Sequence, residues 1–144
     1  MKRILLIATG GTIACKQTAS GLAPQLGAKE LLSYVRDRAE NVESIELFRM
    51  DSSNVQPEEW RAIAQAVADN MHNADGIVIT HGTDTMAYTS SMLSFMLRGI
   101  KIPVVLTGAQ YPMGMDGSDA AANLGDALTA ARELPGGVYM QAFR

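Results

Sequence analysis

Cysteine, histidine and basic charge are all scarce in this 144-residue chain, and each scarcity closes off a class of chemistry. A single cysteine, Cys15, cannot build an internal disulfide or a Cys-rich metal site, and it fits a reducing compartment. The only two histidines, His72 and His81, lie far apart in sequence, so a His-rich metal centre is not expected. The net charge of −3 supplies no basic footprint, which argues against nucleic acid as a partner. No apolar run approaches the roughly 20 residues of a membrane-spanning helix. Lys2-Arg3 followed by Ile4–Ala8 imitates the start of a signal peptide, but its apolar segment is shorter than the about 7–15 residues required. It reads as a first strand, and the protein as cytoplasmic.

What remains is an ordinary globular composition, 47% apolar and 19% charged, in one domain's length of chain. Short β-branched apolar runs alternate with helical patterns. Ile4–Ala8, Ser44–Met50, Ile77–Ile79 within Gly76–Met86, Ile102–Leu106 and Val138–Phe143 read as strands. Helices are expected over Ala28–Arg38, Pro57–Met71, Met86–Leu97 and from a cap at Ser118 to about Arg132. Cys15–Leu26, punctuated by Gly, Ser and Pro, reads as a surface loop long enough to be a lid. This order predicts an α/β fold: a doubly wound parallel sheet of about five strands, flavodoxin-like order 2-1-3-4-5, helices on both faces. Met86–Leu97 is apolar nearly all round, so it should be buried or lie at an interface.

Chemistry concentrates where strands end. Thr9-Gly10-Gly11-Thr12 leaves the first strand, and paired glycines allow a sharp turn that displays Thr12. Asp51-Ser52-Ser53-Asn54 leaves the second. His81-Gly82-Thr83-Asp84-Thr85 leaves the third and runs straight into a helix, with more polar groups than one cap requires. Gln110 follows the fourth. Each cluster alone is plain turn chemistry, but in an open α/β sheet these carboxyl ends share one address, where ligands bind. The dinucleotide fingerprint G-x-G-x-x-G fails, since no glycine follows Gly10-Gly11 until Gly21, and the phosphate loop G-x-x-x-x-G-K-[ST] is absent. No cofactor and no metal are expected.

Thr9-Gly10-Gly11-Thr12-Ile13-Ala14 together with His81-Gly82-Thr83-Asp84-Thr85-Met86 resembles the bacterial L-asparaginases, amidohydrolases with a threonine nucleophile. Weaker similarity runs through Met50–Asn54, Thr107–Pro112 and Ser118–Leu124, so residues 1–144 correspond to that family's N-terminal α/β domain. The resemblance implies that Thr12 attacks the side-chain amide of asparagine, releasing ammonia and leaving an aspartyl ester for water to hydrolyse. It implies that Thr83 positions the water and relays protons. Asp84 would bind the substrate's α-amino group, and Ser52 and Ser53 would hold its carboxylate and amino ends. Backbone N–H groups of Gly11 and Thr83 are expected to face the oxyanion.

Three departures accompany the resemblance. Leu22 stands where many relatives carry a loop tyrosine. The family's general-base lysine would lie beyond the last strand; Lys101 belongs to the wrong pole of the sheet, and Lys16 to a loop. The family's smaller C-terminal domain is not in these residues, so the 144 residues alone are expected to be nearly inactive. The full-length form is expected to be a homo-oligomer, dimer or tetramer, because family active sites are completed across subunits. Asparagine is the expected substrate and glutamine the alternative, since one methylene is worth only about 1–3 kcal/mol in a pocket. Three other readings stand beside this one. The first is the ammonia-releasing component of a tRNA-dependent amidotransferase, disfavoured because the first strand starts at residue 4. The second is a nucleotide-binding α/β module, disfavoured by the failed glycine fingerprints. The third is a non-catalytic structural remnant, able to fold but missing its base.

Overall fold

The structure, a computed structural model, describes residues 1–141. Its main sheet has five parallel strands: β1 (Ile4–Gly10), β4 (Val42–Met50), β5 (Gly76–Thr80), β6 (Pro103–Thr107) and β7 (Gly137–Met140). They lie in the order β4-β1-β5-β6-β7, which is the expected 2-1-3-4-5 when only these strands are counted. Two short antiparallel strands, β2 (Cys15–Thr18) and β3 (Gly21–Pro24), form a separate hairpin. The helices are α1 (Ala28–Ser33), α2 (Pro57–Asn70), α3 (Met86–Met96) and α4 (Ala120–Glu133).

The continuous apolar runs serve two cores at once, because successive strand side chains point to opposite faces. Ile4, Leu6, Ala8, Val78 and Val105 meet Leu31 of α1 and Leu124 and Leu128 of α4. Leu5, Ile7, Ile77, Ile79, Val104 and Leu106 meet Ile63 and Val67 of α2 and Met86 and Leu93 of α3. Each buried leucine or isoleucine contributes about 1.5–3 kcal/mol from area alone. The central strands are thereby held rigid, and the loops at their carboxyl ends stand on a fixed platform.

Several expectations change. The Cys15–Leu26 loop is the β2–β3 hairpin, with Lys16 paired to Ala23 and Thr18 to Gly21 across a two-residue turn. Helix α1 stops at Ser33, and the chain continues to Arg38 in tighter turns such as Arg38 N–H to Val35 O. Ser33 Oγ donates to Glu30 O at 2.6 Å, a local bond that competes with helix continuation. Strand β4 begins at Val42 rather than Ser44, after a left-handed turn at Asn41 (φ 57°). Helix α3 buries Met86, Thr89 and Leu93 but leaves Tyr88 and Phe95 exposed, at 66% and 65%. At α4, Ser118 Oγ does accept from Ala120 N–H, while Asp119 occupies the cap position and turns its carboxylate elsewhere. Of the fifth predicted strand, Ala142 and Phe143 lie outside the described residues. Among the described residues no helix is long and apolar enough to cross a membrane.

Candidate active site

Strands β1 and β5 are parallel neighbours in register, Ala8 beside Thr80, so both loops leave the sheet at one pole. The pairing of β1 with β4 slips between Ala8 and Gly10, which turns the end of β1. Gly10 (φ 105°) and Gly11 (φ 80°) then occupy conformations that residues with a Cβ rarely adopt. A Cβ on Gly11 would collide with the backbone of Gly82, so the two loops meet backbone to backbone. A third loop joins them: Thr85 Oγ1 donates to Ser52 O at 2.8 Å, tying the start of α3 to the turn after β4.

These contacts close a cleft of about 110 Å³ lined by Gly11, Thr12, Ser52, Gly82, Thr83 and Asp84. Five of the six residues singled out as catalytic or substrate-binding line it together with Gly82. Ser53 does not: its hydroxyl donates to Asp51 Oδ1 at 2.9 Å, and its own N–H bonds the same oxygen. Besides Gly82, four lining residues had no role assigned from sequence. Asp51 reads there as turn chemistry, and Cys15, Leu22 and Pro24 as loop. The hairpin delivers those three, and Leu22 is half exposed at its edge.

Thr12 opens a single 3-10 turn, Thr12–Ala14, half-buried at the cleft wall. A thiol lines the same cleft. Cys15 Sγ donates to Gly11 O at 3.4 Å, but burial and then the neighbouring Asp51 charge push its thiol pKa up. It therefore stays protonated around neutral pH and is a poor attacking group. Asp51 and Asp84 supply the cleft with negative charge, no Lys or Arg lines it, and Asp84 forms no ion pair among the described residues. Such a wall suits a cationic group of a ligand. Lys16 does not face Thr12; its Nζ lies 3.3 Å from Glu30 Oε2. The Gly11 N–H, expected as an oxyanion donor, is already donated to Met50 O at 3.0 Å. The Thr83 N–H has no acceptor among the described residues.

Behind the cleft, Asp119 holds the loop after β6. Its carboxylate accepts from the N–H groups of Gln110 (2.9 Å) and Tyr111 (3.1 Å) and from Asn123 Nδ2 (3.0 Å). Burial alone would raise its pKa, but those donors outweigh it and hold the carboxyl below its usual range. Gln110 itself is exposed and does not line the cleft.

A family profile described as "Asparaginase, N-terminal" matches residues 3–142. The chain is 46% identical over 141 residues to an L-asparaginase of Thermococcus kodakarensis, covering 96% of this chain and 43% of that protein. The solved structure of the thermostable T. kodakarensis L-asparaginase superposes with a TM-score of 0.90 over 98% of this chain and 44% of that one. L-asparaginase I of Vibrio cholerae gives a TM-score of 0.85 at 38% identity, over 99% of this chain and 45% of that one. One component of the glutamyl-tRNA(Gln) amidotransferase of Methanococcus vannielii is 37% identical over 145 residues, covering 97% of this chain and 34% of that protein. The chain thus spans less than half the length of each of these relatives.

Proposed function

This chain belongs to the asparaginase family, matching its N-terminal domain, and from that premise we propose that it carries the nucleophile half of an L-asparagine amidohydrolase site. The observation that carries the reading is the cleft in which Thr12, Thr83 and Asp84, from two different strand ends, share one wall.

In this reading Thr12 Oγ1 attacks the side-chain amide carbon of asparagine. The tetrahedral oxyanion forms against the free Thr83 N–H, a placement that lowers the barrier most when the donor is fixed in advance. Ammonia leaves, and water, positioned by the Thr83 hydroxyl, cleaves the aspartyl ester on Thr12. Asp84, with Asp51 adding to the field, receives the substrate's α-ammonium, and Ser52 stands beside its carboxylate end. Thr12 lacks a hydrogen-bonded base among the described residues, and a threonine hydroxyl needs one. The activating group therefore comes from outside these residues: a lysine of the family's remaining sequence, acting in a cytoplasmic homo-oligomer. Exposed Tyr88 and Phe95 on α3 are consistent with a contact between protomers. No cofactor takes part in this scheme.

The amidotransferase reading ranks second, on the lower identity to the M. vannielii protein. The test is product analysis on the complete gene product that contains these residues. Asparagine should yield aspartate and ammonia in equal amounts, and Thr12→Val should lose turnover by several powers of ten with its fold intact. Near-normal turnover in Thr12→Val would overturn the assignment. Glutamine hydrolysis that appears only with a partner protein would favour the amidotransferase.

A further inference from the structure

His81 precedes the candidate site but does not line it. It is 1% exposed, and both ring nitrogens are hydrogen-bonded. Nδ1 lies 2.6 Å from the carbonyl oxygen of Gly82, and Nε2 lies 2.9 Å from Thr89 Oγ1 on α3. Thr89 Oγ1 also receives the indole N–H of Trp60 from α2, at 3.0 Å.

For a neutral ring these partners admit one proton arrangement. The Gly82 carbonyl can only accept, so Nδ1 carries the proton. The neutral ring's Nε2 is then bare and accepts from the Thr89 hydroxyl, which in turn accepts the Trp60 indole N–H. The direction runs Trp60 to Thr89 to His81 to Gly82. Burial lowers the histidine's pKa, and an uncharged ring is what this chain of bonds requires.

The consequence lies one bond further on. The described chain has no cis peptide, and in a planar trans peptide the C=O and the following N–H point in opposite directions. With the Gly82 oxygen tied to the buried ring, the Thr83 N–H points away from it, and Thr83 itself lines the cleft. Gly82 has no Cβ, and one placed there would strike the Ser52 side chain. The residue that fits this tight approach is also the one whose following peptide rotates most easily. A lock is therefore useful at that peptide.

We propose that His81 is a positioning residue, held in one tautomer by Thr89 and Trp60, which keeps the Gly82–Thr83 peptide turned so that the Thr83 N–H serves as the oxyanion donor. The proposal rests on the amidohydrolase reading, and its test separates the two. On the complete gene product, His81→Phe removes the donor to Gly82, whereas His81→Asn can return one, because an amide nitrogen can replace Nδ1. His81→Phe should lower kcat for asparagine by about 10²–10³-fold, the usual effect of losing one oxyanion donor, with KM little changed. His81→Asn should recover much of that loss, and Thr89→Val should fall between. Wild-type kcat in folded His81→Phe, or equal loss in the Phe and Asn variants, would overturn the proposal. If the wild type does not hydrolyse asparagine, the amidohydrolase reading fails and the proposal's catalytic half fails with it. Nitrogen-15 NMR of His81 still decides the lock itself: a protonated Nδ1 coupled to the Gly82 carbonyl supports it, and an Nε2–H tautomer or an imidazolium overturns it.

Discussion

The two poles of the sheet differ in a way that cavity size alone would misjudge. At the amino pole, α2, the end of α3 and the start of β6 enclose about 370 Å³, lined by Ala68, Met71, Met96, Ile100 and Lys101 among others. At the carboxyl pole the cleft holds about 110 Å³. The larger space is mostly apolar with cationic Arg98 and Lys101 at its wall, and within it no hydroxyl stands beside a carboxylate. The smaller one gathers two carboxylates, two threonine hydroxyls and a backbone N–H without an acceptor. The cause is strand direction. In a parallel sheet every strand delivers its following loop to the same end, so short polar turns that are unremarkable singly become a cluster there. The helices return the chain to the other end, where their apolar flanks leave a gap rather than a site.

Variants can sharpen that contrast. The largest effect is expected from Gly11→Ala, which places a side chain at φ 80° and against the Gly82 backbone. It should cost roughly 1–3 kcal/mol from a backbone conformation that only glycine adopts readily, with further loss from the collision, and it should abolish turnover; thermal melting and product assay measure the two. Asp84→Asn comes next. Removing a charged partner for the substrate's ammonium, worth about 1.5–3 kcal/mol, should weaken asparagine binding roughly ten- to a hundredfold while the melting temperature stays put. A collapse in stability with binding preserved would mark Asp84 as a cap only. Smaller again is a pH effect from His81. Its folded pKa is depressed, so the unfolded chain binds the extra proton first. Stability is then fully present above about pH 6.5 and is lost as pH falls through the lower folded value, a slope that His81→Asn should flatten in denaturant titrations. The smallest effect belongs to the amino pole. Ala68→Leu, directed into the larger cavity, should leave asparagine turnover unchanged; a marked loss would mean that the two poles are coupled.

The same contrast explains what the sequence showed and what it hid. The central strands were legible because apolar runs such as Ile4–Ala8 and Ile77–Ile79 are buried on both faces. The paired glycines and the Thr83-Asp84-Thr85 turn were legible because their backbone geometry demands unusual residues. The hairpin was not, since its strands are four residues each, exposed in part and free of any strong apolar alternation. Its turn, Ala19-Ser20 before Gly21, was the one available signal. Edge strand β4 began earlier than expected because its first residues, Val42 and Glu43, pair on one side only. Ser52 and Ser53 could not be told apart, because which hydroxyl Asp51 would capture is a matter of a 3-10 turn that composition does not reveal. His81 was visible as part of a motif, but its partners Thr89 and Trp60 come from other elements, 8 and 29 positions from their bonded neighbours.

Everything proposed for this cleft turns on Thr12 forming a covalent bond to the substrate, and trapping that species tests it most directly. The complete gene product would be mixed with asparagine, quenched in acid during turnover and digested for peptide mass spectrometry. An aspartyl ester is expected on the peptide that contains Thr12, mapped to its hydroxyl and absent from Thr12→Val. The same group found on the Cys15 sulfur, or retained in Thr12→Val, would contradict the assignment.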